Sequence, residues 1–65
     1  MTPQIFAAVY ITAREFNNGR FYMESAVAAA EACKVHQIDP VWAKPIAVLV
    51  LTEYHDIYEW AKELI

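Results

Sequence analysis

The sequence predicts an all-α domain of three helices, and three observations support this prediction. Apolar residues recur at spacings of three and four, which is the period of an amphipathic helix. Prolines follow side-chain acceptors at Thr2 and Asp39, a combination typical of helix starts. The single glycine, Gly19, follows two asparagines and indicates a turn. A chain of 65 residues suffices for one small domain, residues 1–65.

The first helix is expected over about 3–17. Thr2 supplies the N-cap, Pro3 occupies the first helical position, and Asn17 and Gly19 mark the end. A short connection then favours a second helix packed antiparallel to the first. This arrangement is a helical hairpin.

The second helix is expected over about 21–36. Its expected inner face contains Met23, Ala26, Val27, Ala30 and Cys33. Further alanines lie off that face, and alanine is the best helix former. Because small side chains nearly surround it, this helix is expected to be thin and central.

Two prolines shape the last third of the chain. Asp39 and Pro40 predict a short turn at 40–43, and Pro45 disfavours helical angles at Lys44, so a bend is expected there. A third helix then follows over about 45–64. At about 1.5 Å per residue it would be roughly 30 Å long, against roughly 22–24 Å for the first two. Its end, with Trp60, is therefore expected to overhang its neighbours.

Composition and charge exclude several functions. The longest apolar run, Pro45–Leu51, is far shorter than the roughly 18 residues that span a bilayer. The first residues lack the basic opening of a signal peptide, and the lone Cys33 fits a reducing compartment. A cytoplasmic location without membrane attachment is therefore expected. A net charge of −3 makes nucleic acid an unfavourable partner.

The apolar content predicts a protein–protein contact. Hydrophobic residues make up 58% of the chain, more than a domain of this size is expected to bury. Because the third helix is apolar on every side at its start and aromatic at its end, a homodimer through this helix is predicted. The expected interface consists of Val48, Leu51, Tyr54, Tyr58, Trp60, Leu64 and Ile65.

A second candidate contact patch surrounds the first turn. It consists of Tyr10, Arg14, Arg20 and Tyr22, because arginine and tyrosine are enriched at binding hot spots. A solvated polar rim is the alternative interpretation of these residues.

Two clusters contain residue types that occur at metal and catalytic sites. Cys33 and His36 stand three residues apart, as metal ligands on a helix can, but two ligands do not make a site. Segment 53–56 holds two acids and a histidine, but adjacent helical residues point in different directions and a small chain encloses little pocket volume. No catalytic, metal or cofactor site is therefore predicted, and the protein is expected not to be an enzyme.

Segment 30–42, AEACKVHQIDPVW, resembles the helix-turn-helix pattern of DNA-binding proteins. The resemblance covers Ala30, Val35 and the polar pair that follows. It departs at Lys34, where the pattern has glycine, and in a recognition helix with two prolines and Lys44 as its basic residue. The resemblance implies a small DNA-binding regulator, which is the alternative function. The preferred prediction is a non-enzymatic protein that dimerises and binds, modulates or inhibits a larger protein, by analogy with small phage-encoded or accessory regulators.

Overall fold

In the computed structural model, which describes residues 1–19, 22–52 and 55–65, all regular structure is helical. Helix α1 covers Pro3–Asn18, α2 Ser25–Val35, α3 Ala43–Thr52 and α4 His55–Leu64, and a 3-10 turn, Pro40–Trp42, precedes α3. The all-α prediction is confirmed, but these residues form four α-helices where three were expected. In the described part of the chain, no helix is both long and apolar enough to span a bilayer.

Helix α1 begins and ends within one residue of its predicted bounds. The Thr2 hydroxyl accepts a hydrogen bond from the N–H of Ile5 at 3.2 Å, and Pro3 occupies the first position. At the other end the N–H of Gly19 donates to the Glu15 carbonyl at 2.7 Å. A Cβ atom at Gly19 would overlap that carbonyl oxygen, so the close approach of the two backbones requires glycine.

Helix α2 begins at Ser25, later than predicted, because the residues before it are bound to α1. The N–H of Met23 donates to the Phe16 carbonyl at 2.9 Å, and the Met23 carbonyl accepts from Asn17 Nδ2 at 2.8 Å. Tyr22 lies in the left-handed region with φ 48°. These bonds and this angle keep residues 22–24 out of the helix.

Helix α2 ends in a Schellman motif centred on Gln37. The N–H of Gln37 donates to the Lys34 carbonyl at 3.1 Å, and the N–H of Ile38 donates to the Cys33 carbonyl at 2.9 Å. Gln37 adopts φ 56° at the position that usually favours glycine. The end at Val35 is one residue from the predicted position.

The expected bend before Pro45 is absent from the described structure, because α3 begins at Ala43 and includes Lys44. Pro45 is the third residue of α3. In the first turn a backbone N–H has no partner within the helix, so proline is accommodated there. The 3-10 turn occupies Pro40–Trp42, close to the predicted turn at 40–43, with Asp39 Oδ1 accepting from the N–H of Val41 at 3.0 Å.

The expected single helix over 45–64 and its overhang are wrong. A straight helix of that length would measure about 30 Å, whereas the molecule extends 24 × 24 × 18 Å. Helix α3 instead ends at Thr52, and α4 packs against α1. Ala61 of α4 is fully buried, and Leu64 packs against the core.

Helix α1, and not α2 as expected, is the central helix, because it packs against α2, α3 and α4. It supplies Val9 and Tyr10, two of the largest fully buried side chains. The predicted inner face of α2 is also wrong except for Cys33: the buried residues are Ala28, Ala29, Ala32 and Cys33, while Ala26, Val27 and Ala30 are exposed.

Candidate protein-interaction surfaces

The amount of exposed surface is ordinary for a monomer of this size. The chain exposes 4346 Å², close to the roughly 4,200 Å² that the scaling of surface with mass gives at 7.4 kDa. Isolated exposed apolar residues are normal, but contiguous ones indicate a contact surface. The positions of the exposed apolar side chains, more than the total area, therefore identify candidate surfaces.

One such surface follows the outer side of α3. Val41, Val48 and Leu51 are 68%, 52% and 70% exposed, and their spacing places them along one side of the turn and the helix. Ile46 and Val50 on the opposite side are fully buried. We call Val41, Val48 and Leu51 the α3 stripe. It includes two residues of the predicted interface.

Segment 25–52, which contains α2 and α3, carries balanced charge, whereas α4 is acidic. Residues 25–52 contain two carboxylates and two ammonium groups, and one pair of these, Glu31 and Lys34, lies 3.5 Å apart. Helix α4 contains three carboxylates and one ammonium group: Asp56, Glu59, Glu63 and Lys62. Two copies of the chain would therefore repel each other less across α2 and α3 than across α4.

The predicted interface residues near the C-terminus differ in their exposure. Trp60 and Ile65 are exposed, whereas Tyr58 and Leu64 are half-buried against the core. Tyr54 lies outside the described residues. The seven predicted residues therefore do not form one exposed stripe.

The structure exposes only some of the residues of the contact patch that was predicted around the first turn. Tyr10 is fully buried, so it presents no surface to a partner. Tyr22 is 85% exposed and Arg14 is half-buried. Arg20 lies outside the described residues. The burial of Tyr10 follows from its place on the inner face of the central helix.

Two adjoining depressions surround the end of α1. One, of about 250 Å³, is lined by Arg14, Glu15, Asn18, Gly19 and Tyr58. The other, of about 550 Å³, is lined by Asn17, Asn18, Tyr22, Met23 and Glu24. Asn18 lines both, and we call the two depressions together the α1-end surface. Sequence reasoning missed Asn18 and the contribution of Tyr58.

Arg14 connects three helices at this surface. Its Nη1 donates a long hydrogen bond, 3.5 Å, to the Val50 carbonyl of α3, and its guanidinium carbon lies 5.8 Å from the centroid of the Tyr58 ring of α4. Lys62 Nζ lies 5.3 Å from the same centroid. Both distances are within the range of cation–π attraction. Among the described carboxylates, none forms an ion pair with Arg14 or Lys62.

Cys33 and His36 have different surroundings and do not act together. Cys33 is buried, and desolvation of the thiolate, with a smaller contribution from the Asp39 charge, raises the pKa of its thiol. His36 Nε2 lies 2.8 Å from the Thr12 hydroxyl. Within the described residues there is no group of three or more histidine, cysteine or acidic side chains that would hold a metal ion.

The acid–histidine segment 53–56 is only partly described, because Glu53 and Tyr54 lie outside the described residues. His55 Nε2 lies 3.5 Å from the Glu59 carboxylate, and both side chains are largely exposed. An exposed pair one helical turn apart is an ordinary surface contact.

The geometry of segment 30–42 differs from the helix-turn-helix pattern. Lys34, at the position of the pattern's glycine, is still within α2, and the left-handed residue is Gln37. Helix α3, in the position of a recognition helix, carries Lys44 as its one charged residue. Base and phosphate contacts require more polar and basic side chains than this.

Comparison with known proteins gives no match: no protein-family model, curated protein or solved structure is significantly similar to this chain.

Proposed function

We propose that this chain is a non-enzymatic interaction protein that forms a homodimer through α2 and α3 and binds a larger protein through the α1-end surface. The observation that carries the proposal is the α3 stripe, in which Val41, Val48 and Leu51 are each more than half exposed. Burial of apolar surface stabilises association by roughly 25 cal/mol per Å² before the costs of association are subtracted. These side chains gain stability only when another chain covers them.

A second copy of this chain is the proposed occupant because of charge and area. A stable interface buries about 800 Å² per partner, roughly a fifth of the 4346 Å² exposed here. Three side chains alone do not provide that area, so the proposed interface also includes Val27 and Val35, which are exposed on α2, the helix that packs against α3. Because residues 25–52 have no net charge, two copies should repel each other less through this segment than through the acidic α4.

The oligomeric state tests this proposal directly. Light scattering coupled to size exclusion, over a dilution series, is expected to give twice the chain mass of 7.4 kDa. The double variant Val48→Gln, Leu51→Gln should shift the chain to monomer while circular dichroism remains helical. Ile5→Gln is the matched control, since Ile5 is exposed and belongs to α1, which is not part of the proposed interface. A monomeric wild-type chain at every concentration would disprove the dimer.

The α1-end surface is the proposed site for the larger protein. Tyr22 is 85% exposed and holds φ 48°, a conformation that costs a non-glycine residue roughly 1–2 kcal/mol. A strained, exposed aromatic side chain contributes nothing to the core, whereas tyrosine is a frequent binding hot spot. Modulation, including inhibition, of the bound protein is the proposed role; this part rests on the analogy with small phage-encoded or accessory regulators.

DNA binding is not proposed, because α3 places Lys44 alone among apolar residues where a recognition helix would need several contacts. A gel shift with random-sequence duplex at low salt should show no retardation. Retardation that is lost in Lys44→Gln would reverse this conclusion.

A further inference from the structure

We infer that the depression beside Arg14 binds a carboxylate group presented by the partner protein. The inference rests on the proposed function, because it names the chemistry of the α1-end surface. In a chain of net charge −3 with five lysine and arginine residues, two of these, Arg14 and Lys62, converge on one ring. They lie 5.8 and 5.3 Å from the centroid of Tyr58. Arg14 and Lys62 therefore bring two cationic groups to the same aromatic side chain.

Arg14 retains most of its hydrogen-bonding capacity at this site. A guanidinium has five N–H donors. Within the described structure one of them is used, in the long bond to the Val50 carbonyl, and no carboxylate lies within ion-pair distance. The side chain is half-buried and lines a depression of about 250 Å³. A partly desolvated cation with unused donors favours an anionic ligand.

A single carboxylate fits this site better than a polyanion. Glu15 lines the same depression, and α4 carries three carboxylates of its own. The phosphates of nucleic acid or an anionic membrane would bring several negative charges against these groups and be repelled. One planar carboxylate matches the planar guanidinium, and Asn18, which also lines the depression, carries an amide that can donate a hydrogen bond.

The test uses the full chain and two short probes, acetyl-Gly-Glu-Gly-amide and its glutamine counterpart, at fixed ionic strength. NMR signals of the Tyr58 ring and the Arg14 side chain report binding. We expect saturable shifts with the glutamyl peptide in the millimolar range and none with the glutaminyl peptide. Arg14→Gln and Lys62→Gln should each weaken binding roughly tenfold. Lys44→Gln, which removes a cation from α3, should leave it unchanged.

Several outcomes would overturn the inference: absence of saturation, an equal response to the glutaminyl peptide, or equal weakening by Lys44→Gln. Tighter binding of inorganic phosphate or DNA would also overturn it, because it would assign the site to another partner class. Lys62 is exposed, so Lys62→Gln keeps the fold even if Arg14→Gln does not. Light scattering on the same samples tests self-association separately from carboxylate binding. Loss of carboxylate binding with an intact dimer rejects this inference and leaves self-association in place.

Discussion

The imidazole Nε2 of His36 lies 2.8 Å from the hydroxyl oxygen of Thr12. This hydrogen bond connects the end of α2 to the middle of α1. The Thr12 hydroxyl also donates to the Ala8 carbonyl at 3.0 Å. Because a hydroxyl has one hydrogen, it accepts from His36, and the histidine carries its proton on Nε2. The bond crosses the two helices at a half-buried position.

Replacing Thr12 by valine should destabilise the fold. The substitution keeps the branched shape and leaves the Nε2–H of His36 without its acceptor, at a cost of about 1 kcal/mol. Urea unfolding followed by circular dichroism measures the change in the free energy of unfolding.

Thr52→Val is the matched control for this substitution. The Thr52 hydroxyl is exposed and donates to the Leu49 carbonyl of its own helix, so its loss should change stability by less than about 0.5 kcal/mol. Equal destabilisation by both variants would show that the Thr12–His36 bond contributes nothing of its own.

Replacing Gln37 by glycine should stabilise the fold. Gln37 holds φ 56° in the Schellman motif, and glycine adopts this angle without the steric cost of a Cβ atom. A gain of about 0.5–1 kcal/mol is expected after the greater freedom of glycine in the unfolded chain is subtracted. Thermal unfolding measures it, with Gln37→Ala as a control that keeps the Cβ atom and should not stabilise. A lower melting temperature for the glycine variant would contradict the prediction.

Replacing Gly19 by alanine should destabilise the fold by roughly 1–3 kcal/mol, the range typical of overpacking. The new Cβ atom would overlap the Glu15 carbonyl oxygen, which is backbone and has little freedom to move. The end of α1 would have to open, and the hydrogen bond from Gly19 to Glu15 would be lost. Denaturant unfolding tests this, and Asn18→Ala, one residue earlier and exposed, is the control. Unchanged stability of Gly19→Ala would show that the backbone relaxes freely.

The sequence predicts the bounds and buried face of a helix only where capping residues or a clear apolar pattern allow a single interpretation. The bounds of α1 could be predicted because Thr2, Pro3 and Gly19 act through neighbouring backbone. The inner face of α2 could not, since alanine on every side gives little amphipathic contrast, and Cys33 alone was assigned correctly. No glycine or proline separates Thr52 from His55, so the sequence carries no local signal for the division between α3 and α4.

The candidate surfaces could also be predicted only in part. Exposure of Val48 and Leu51 follows from an α3 that is apolar on every side, because its neighbours cover one side only. The convergence of Arg14, Tyr58 and Lys62 requires α4 to fold back on α1, which no local pattern specifies.

The buried thiol of Cys33 should make stability decrease at alkaline pH. Burial raises the pKa of this thiol in the folded chain, whereas in the unfolded chain it stays near its ordinary value of about 8.5. Below that value both states hold the proton and the contribution to the free energy of unfolding is constant. As pH rises above it, the unfolded chain loses the proton first, and stability falls until pH passes the folded pKa.

Urea unfolding of the wild-type chain and of Cys33→Ala between about pH 7 and 10 isolates this contribution. The other titrating groups are common to both chains, so the difference between the two stability curves belongs to Cys33. That difference should shrink as pH rises above about 8.5. Ellman's reagent gives an independent check, because the buried thiol should react far more slowly in the folded chain than in urea. Parallel stability curves, or equally fast reaction in both states, would contradict the burial of Cys33 as the cause.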